Sequence, residues 1–195
     1  MEKQDEELIL DCQDGDQTAF KTLFERYKRP VFNFALRILG NRADAEDVTA
    51  DVMLVVLSKS RAYVHKPGVK FSTWLFTVAR NACVTLIRKR NRMMGFWFQK
   101  NEDGQYQEWD VPDSRDLPPE EIAKRETVRQ IKKAIYELPL NQKEALVLRE
   151  YHGLSYGEIA EVLQCSLENV KILIFRARGQ LRIKLSGLIT EAYDG

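Results

Sequence analysis

Cationic and hydroxyl side chains share one face of the stretch Thr73–Arg90, if that stretch is a helix. At about 100° per residue, the face contains Thr73, Thr77, Arg80, Asn81, Val84 and Arg88. The opposite stripe is apolar and contains Leu75, Val78, Ala79, Ala82 and Leu86. Because the first face carries hydrogen-bond donors and positive charge but no acid, it suits a polyanion such as nucleic acid.

The segment before this helix adds aromatic residues to the positive charge. It contributes Tyr63, His65, Lys66 and Lys70. Aromatic rings among cations are typical of surfaces that bind unstacked, single-stranded bases. The alternative is that the neighbouring rings belong to a protein core, and for Trp74 and Phe76 we favour this interpretation. Metal ligation by His65 is not expected, because the chain has only 2 histidines and zinc sites need clusters of ligands.

A second candidate surface lies near the C-terminal end of the chain, in the stretch SLENVKILIFRAR. Ser155 and Glu158 have the spacing of a capping box, and a short helix, a turn and a longer helix capped by Ser166 follow. This outline is typical of a helix-turn-helix, whose second helix enters the major groove of DNA.

Helical periodicity separates the two sides of that last helix. The predicted core stripe contains Val170, Ile174, Ala177, Leu181 and Leu185, and the outward side contains Glu168, Ile172, Phe175, Arg176 and Ile183. Arginine and lysine can contact phosphate or guanine, and apolar side chains can pack on a thymine methyl. The alternative is that Ile172 and Phe175 are buried against another protein or a neighbouring helix.

The stretch ADAEDVTADVMLVVL predicts a helix that is apolar on two sides. One stripe contains Ala45, Val48, Val52, Val55 and Val56; the other contains Ala50, Met53, Leu54 and Leu57, edged by Asp47 and Asp51. Such a helix is either fully buried or has a docking partner. The pattern alone leaves both possibilities open.

Composition limits the class of protein. The chain of 195 residues is 44% hydrophobic, which suffices for one domain or two small ones. No apolar run approaches a membrane span, and the acidic beginning MEKQDEELIL is unlike a signal peptide, so a cytoplasmic protein is expected. Cys12, Cys83 and Cys165 are isolated, which favours reduced thiols over a disulfide or zinc site. No nucleophile–base motif indicates an enzyme, and no cofactor or metal is expected.

The elements that position these residues are all predicted to be helices. Periodicity predicts Glu6–Gln13, Thr18–Tyr27, Val31–Leu39, Ala43–Ser60 and Thr73–Arg90, with Gly40 after a helix end and Ser72 as an N-cap. Glu120–Leu138 and a helix opened by Asn141-x-x-Glu144 precede the helix-turn-helix. We therefore predict an all-α protein with two small helical domains, 1–92 and 120–195, joined by a flexible acidic linker, 93–119.

Charge along the chain agrees with this division. Residues 61–100 hold nine Lys/Arg and no acid, residues 101–126 hold nine acids and three bases, and residues 169–190 hold five Lys/Arg and no acid. Two cationic blocks separated by an anionic one indicate two contacts with a polyanion. Either block alone could equally be an ordinary solvated face.

Taken together, three stretches resemble the extracytoplasmic-function (group IV) sigma factors of bacterial RNA polymerase. DGDQTAFKTLFERYKRPVFNFALRILGNRADAEDV resembles their N-terminal region, and FSTWLFTVARNACVTLIRK resembles their promoter-melting region. LPLNQKEALVLREYHGLSYGEIAEVLQCSLENVKILIFRARGQLR resembles their C-terminal domain. The combination, in this order and spacing, is specific, and it covers almost the whole chain.

The resemblance implies a role for each surface. The first domain would bind the non-template strand of the −10 element, through Tyr63, His65, Lys66, Lys70, Thr73, Thr77, Arg80, Asn81 and Arg88. The last helix would read the −35 element through Ser166, Glu168, Asn169, Lys171, Ile172, Phe175, Arg176 and Arg178. Asp47, Ala50, Asp51, Met53, Leu54 and Leu57 would dock on the β′ clamp helices of core RNA polymerase, with further contacts to the β subunit. The linker would thread the RNA channel, and an anti-sigma factor would regulate the protein.

Three features depart from the family pattern. The docking helix reads Ala50-Asp51-Val52-Met53 instead of Gln-Glu-Val-Phe, and Leu173 replaces an arginine expected in the recognition helix. The apolar patch Met93–Phe98 is unusual for a linker; it would fold back on a domain, our preference, or bind an inhibitor. The competing function is a stand-alone helix-turn-helix regulator of duplex operators, which would need neither the second cationic block nor the docking helix.

Overall fold

The computed structural model describes residues 3–59, 63, 69–97 and 119–186. All regular elements in these ranges are helices, which confirms the predicted all-α class. In chain order they are α1 (Asp5–Gln13), α2 (Gln17–Leu39), α3 (Arg42–Lys59), α4 (Phe71–Trp97), α5 (Pro119–Tyr136), α6 (Leu140–Glu150), α7 (Tyr156–Leu163) and α8 (Leu167–Lys184). None of these helices is long and apolar enough to span a membrane.

Helices α1–α4 form a first bundle around α2. Helix α2 packs against α1, α3 and α4, and its inner face buries Leu23, Val31, Phe34 and Ile38. Asp16 caps its first turn, because its carboxylate accepts hydrogen bonds from the backbone N–H groups of Thr18 and Ala19. Gly40 ends the helix with φ of 68°, in the left-handed region that glycine adopts without strain.

The prediction of two helices in this region is wrong, because α2 runs without interruption through Pro30. A proline inside a helix removes one backbone hydrogen bond, at a cost of about 3 kcal/mol. The residues on either side of Pro30 are anchored by burial: Leu23 and Val31 are 1% and 0% exposed. Their burial can offset the missing hydrogen bond, so the helix continues.

The predicted N-cap at Ser72 is also wrong, since α4 already begins at Phe71. The backbone N–H of Phe71 instead donates to Glu6 Oε1 of α1, at 2.9 Å. A carboxylate at a helix N-terminus satisfies a free backbone donor and opposes the positive end of the helix dipole. The acceptor is 65 residues away in sequence, so no local pattern could have indicated it.

Helices α6–α8 form a second group with a core of Leu148, Ile159, Val170 and Ile174. Ser155 and Glu158 form the predicted capping box at the start of α7, and Ser166 accepts from the backbone N–H of Asn169 at the start of α8. Gln164, with φ of 53°, makes the turn between them. The helix-turn-helix outline is confirmed.

The two groups also pack against each other. Helix α4 contacts α7, and α2 contacts both α5 and α6. Buried residues of both groups belong to one continuous apolar cluster. The two cationic surfaces predicted from the sequence are therefore positioned by a single packed assembly.

Candidate nucleic-acid interface

The predicted recognition face of α8 is exposed. Val170, Ile174 and Ala177 lie in the core, whereas Ile172 and Phe175 are 46% and 79% exposed. Within the described residues, this confirms the predicted division of the helix and excludes burial of Ile172 and Phe175 against a neighbouring helix. The exposed side also carries Glu168, Asn169, Lys171, Arg176 and Ile183.

Two further residues assigned to this face have structural roles. Ser166 is exposed but its hydroxyl caps α8. Arg178 Nη2 donates to Glu150 Oε1 of α6 at 2.6 Å, and this hydrogen bond raises the pKa of the guanidinium. Because the Arg178 side chain is still 57% exposed, it can exchange this carboxylate for a phosphate. Leu173, where the family pattern has an arginine, packs against the core.

The predicted face of α4 is only partly exposed. Asn81 and Arg88 are exposed, and Thr77 is half-buried with its hydroxyl donating to the Thr73 carbonyl at 2.8 Å. Thr73 and Val84 are buried, at 2% and 8% exposed, so they do not belong to the surface in this conformation. Arg80 is half-buried and forms an ion pair with Glu144 of α6.

Tyr63 also differs from its predicted role. The side chain is only 4% exposed, and its ring packs edge-on against Phe71 and Trp74, with centroids 5.8 and 5.5 Å away. Burial raises the pKa of its hydroxyl. In this conformation the ring is part of the core and offers no stacking surface. His65 and Lys66 lie outside the described residues, whereas Lys70 is exposed.

Helix α3 presents an exposed apolar strip. Its first stripe is core: Val52 and Val56 are 0% and 1% exposed. On the second stripe, Leu54 and Leu57 are 58% and 53% exposed, beside the exposed Ala50, Asp47 and Asp51. Met53 is 4% exposed and packs into the core, so its predicted membership of the docking face is not supported by this structure. Full burial of the helix is excluded.

Four polar residues of the second group were missed by the sequence analysis: Lys143, Glu144, His152 and Glu158 contact the first group. Glu144 was assigned to a helix start, but α6 begins at Leu140 and the carboxylate binds Arg80, 64 residues away. The signal was a Lys-Glu pair directly before the apolar run ALVL. Charged side chains next to a buried apolar run are rarely buried themselves unless they are paired with groups from another part of the protein.

Burial changes the ionisation of His152. Its ring packs against Phe34 and Phe76, with centroids 5.9 and 4.5 Å away. Burial, and secondarily the charge of Arg37, lower the pKa of the imidazole to about 4. The neutral form is therefore favoured in this contact.

A pH dependence follows from this pKa. The neutral His152 stabilises the folded protein fully above the ordinary pKa of 6.5. This contribution to the free energy of unfolding is lost as the pH falls from 6.5 towards about 4. The loss at pH 5 should be about 2 kcal/mol. Glu144 has the opposite pH dependence, because burial raises its pKa. To separate the two effects, urea unfolding of the wild type and of His152→Gln is compared at pH 7.5 and at pH 5. The difference between their free energies of unfolding reports His152 alone. An unchanged difference would contradict the prediction.

No group of three or more His, Cys, Asp or Glu within the described ranges is arranged to hold a metal ion. Cys12, Cys83 and Cys165 are all free thiols. Burial raises the pKa of Cys83 to about 12 and that of Cys12 to about 11. These two thiols are therefore protonated at neutral pH and poorly suited to nucleophilic chemistry.

Comparison with known sequences shows to which protein family the chain belongs. The sequence model of Sigma-70 region 2 matches residues 23–93, and that of Sigma-70, region 4 matches residues 128–181. The RNA polymerase sigma-H factor of Pseudomonas aeruginosa is 31% identical over 193 residues, covering 98% of each chain. The ECF RNA polymerase sigma-E factor of Haemophilus influenzae is 30% identical and is covered over 97% of its length. The chain belongs to the ECF family of RNA polymerase sigma factors.

Solved structures agree with the fold of this sigma factor. RpoE from Bartonella quintana, solved with the anti-sigma factor NepR, superposes with a TM-score of 0.69 at 24% identity; the match covers 86% of this chain and 96% of that chain. CnrH, solved with the cytosolic domain of CnrY, gives 0.67 at 24% identity, with 94% and 97% covered. The region 2 match contains α3 and most of α4, and the region 4 match contains α6, α7 and most of α8.

Proposed function

We propose that this ECF sigma factor binds core RNA polymerase and directs promoter recognition, melting and initiation. The supporting observation is the exposed strip of α3. Leu54 and Leu57 are more than half exposed, beside the carboxylates of Asp47 and Asp51. Exposed leucines in a row mark a protein-binding surface. A regulator that only binds duplex operators needs no such strip, which argues against the alternative function.

The strip would contact the β′ clamp helices of the polymerase, with further contacts to β. Helix α8 would read the −35 element, where Arg176 and Lys171 can meet bases or phosphates and Phe175 can pack on a thymine methyl. Lys70, Arg80, Asn81 and Arg88 would bind the −10 strand. The proposed domains are 1–92 and 120–195, with 93–119 as the linker, most of which lies outside the described residues.

The proposed role is not catalytic: the sigma factor selects and opens the promoter, and the polymerase makes the RNA in the cytoplasm. We also propose an anti-sigma partner. The similar protein RpoE was solved with the anti-sigma factor NepR, and the similar protein CnrH was solved with the cytosolic domain of CnrY. The exposed strip of α3 offers a surface that such a partner could cover. The apolar patch Met93–Phe98 belongs to the end of α4 and the linker, and its side chains lie outside the described part of the structure.

The test is in vitro transcription with core RNA polymerase, this chain and promoter fragments from its own genome. Run-off transcripts that require the chain are expected. Absence of a transcript at every promoter, combined with tight binding of the chain alone to duplex DNA, would favour the stand-alone regulator.

Arg176→Ala should weaken binding to the −35 duplex by ~1–3 kcal/mol if the guanidinium contacts a base. The loss should be nearly independent of sequence if it contacts phosphate instead. Fluorescence anisotropy with native and scrambled −35 duplexes separates the two. Arg129→Ala on α5, which removes an exposed arginine paired with Glu126, is the matched control and should bind as the wild type does. Unchanged binding of Arg176→Ala would exclude Arg176 from the interface.

A further inference from the structure

A cavity of about 290 Å³ lies between α2, α5 and the end of α6, away from the residues assigned to DNA or polymerase. Its lining includes Arg37 of α2, one face of α5 and the ring of Tyr151. Pockets that bind small molecules begin at about 300 Å³. At about 30 Å³ for each non-hydrogen atom, the share of a water molecule in the liquid, the cavity has room for about ten such atoms.

One wall of the cavity is an apolar row on α5. Val128, Ile131 and Ile135 line it at spacings of three and four residues, which places them on one helix face. Ile135 is 6% exposed and Val128 is 49% exposed, so the row runs from the core to the surface. Side chains that face a cavity lack contact atoms on that side. An apolar molecule in the cavity would supply these contacts.

A second wall is an aromatic ring held in place by its neighbours. Tyr136 lines the cavity, and its ring lies so close to Gly40 that an added Cβ would overlap it. Only glycine permits this approach. On the same ring, Lys143 Nζ lies 4.3 Å from the centre, and it also donates to the Ile38 carbonyl at 3.3 Å. This wall is formed before any ligand binds, which lowers the cost of binding.

The charge of the cavity is positive. Arg37 is half-buried; its Nη1 donates to the Asn33 carbonyl at 3.0 Å, and its guanidinium lies 3.9 Å from the centre of the Tyr151 ring. Within the described ranges, no carboxylate pairs with Arg37 and no acid lines the cavity, whereas Lys132 does. A cation that is partly removed from water without a counter-ion is costly. An anion that enters the cavity would therefore be favoured.

The arrangement favours a carboxylate over other anions. A guanidinium presents a planar fork of donors that matches the two oxygens of a carboxylate. A phosphate monoester carries nearly two charges, and its desolvation beside an apolar wall would need more donors than the fork of Arg37 supplies. The ligand that fits therefore combines an apolar body with one carboxylate.

We propose that this cavity binds a small amphiphilic carboxylate, of the size and chemistry of a medium-chain fatty acid. The apolar body lies along Val128, Ile131 and Ile135, and the carboxylate pairs with Arg37. The site goes beyond the proposed function and does not depend on it, because it uses no residue of the α8 recognition face, the α4 face or the exposed strip of α3.

The first test needs only the wild-type, full-length chain. Octanoate, which has ten non-hydrogen atoms, is titrated and followed by methyl resonances in nuclear magnetic resonance spectra. Saturable shifts at Val128, Ile131 and Ile135 are expected, with a dissociation constant of about 1 mM or below. Octylammonium has the same chain with the opposite charge and should bind at least about tenfold more weakly. Equal affinities for the two probes, or shifts confined to other methyl groups, would overturn the proposal.

The second test isolates the charge of Arg37. Arg37→Met keeps the length and apolar stem of the side chain and should weaken octanoate binding about tenfold. Octan-1-ol, which has the same chain without the charge, should bind this variant as it binds the wild type. The matched control is Arg29→Met, an exposed arginine on the same helix that does not line the cavity, and it should bind both probes normally. Undiminished octanoate binding by Arg37→Met would contradict the proposed pairing.

A third arm tests whether the chain itself fills the cavity. Residues 187–195 contain apolar residues and two acids, so they are the competing occupant. A chain shortened to residues 1–186 should bind octanoate as the full-length chain does. Binding by the shortened chain alone would assign the cavity to this segment and overturn the proposal. Loss of polymerase-dependent transcription would overturn the proposed function and leave the carboxylate site untouched, so the two failures are distinguishable.

Discussion

A Leu54→Glu variant should lose most of its affinity for core RNA polymerase and keep its fold. The Leu54 side chain is 58% exposed, so the substitution places the new carboxylate in water in the free protein. In the complex the same carboxylate would be desolvated without a partner, which is costly. For a residue central to an interface, the expected loss is about 2 kcal/mol or more, or roughly 30-fold in affinity.

The matched control is Val52→Glu, two residues earlier on the same helix. Val52 is 0% exposed, and a buried carboxylate there should unfold the first bundle. Circular dichroism, and binding of labelled core polymerase, give the two readouts. Unfolding of Leu54→Glu would show that the strip is buried in solution, and undiminished affinity would move the docking site away from α3.

The second large effect concerns stability. Phe34→Ala should lower the free energy of unfolding by about 3–5 kcal/mol, a large part of the 5–15 kcal/mol of an ordinary domain. Phe34 is 0% exposed, and its ring packs against Phe76 at 5.6 Å and against His152 at 5.9 Å. One substitution therefore leaves a cavity in the first bundle and removes part of the contact with the second group.

Urea unfolding followed by circular dichroism measures this loss. Phe175→Ala is the control, because the same ring is removed from a side chain that is 79% exposed; its effect should stay within about 0.5 kcal/mol. A loss for Phe34→Ala as small as that of the control would mean that the surrounding side chains collapse into the cavity.

Features that depend on neighbours in sequence were predictable. The two sides of α8, the capping box of Ser155 and Glu158, and the glycine that ends α2 all follow from spacing within one or two helical turns. The exposure of Phe175 was expected for this reason. The same periodicity located both stripes of α3, although it could not show which stripe faces solvent.

Features that depend on distant residues were not predictable. The cap of α4 is Glu6, and the partner of Glu144 is Arg80; both are more than sixty residues away. Val84 and Met53 lie at predicted surface positions but are buried, because periodicity assigns one inner side to a helix and these helices pack on more than one side. The continuation of α2 through Pro30 likewise depends on the burial of its neighbours, which local helix propensity does not describe.

The approach of Tyr136 to Gly40 has a consequence for sequence variation. Position 40 already requires a left-handed backbone, and the ring above it removes the remaining space for a side chain. Two positions 96 residues apart are therefore expected to change together among natural variants of this chain. A larger residue at position 40 should be accompanied by a smaller one at position 136, or by a pair of domains that no longer touch.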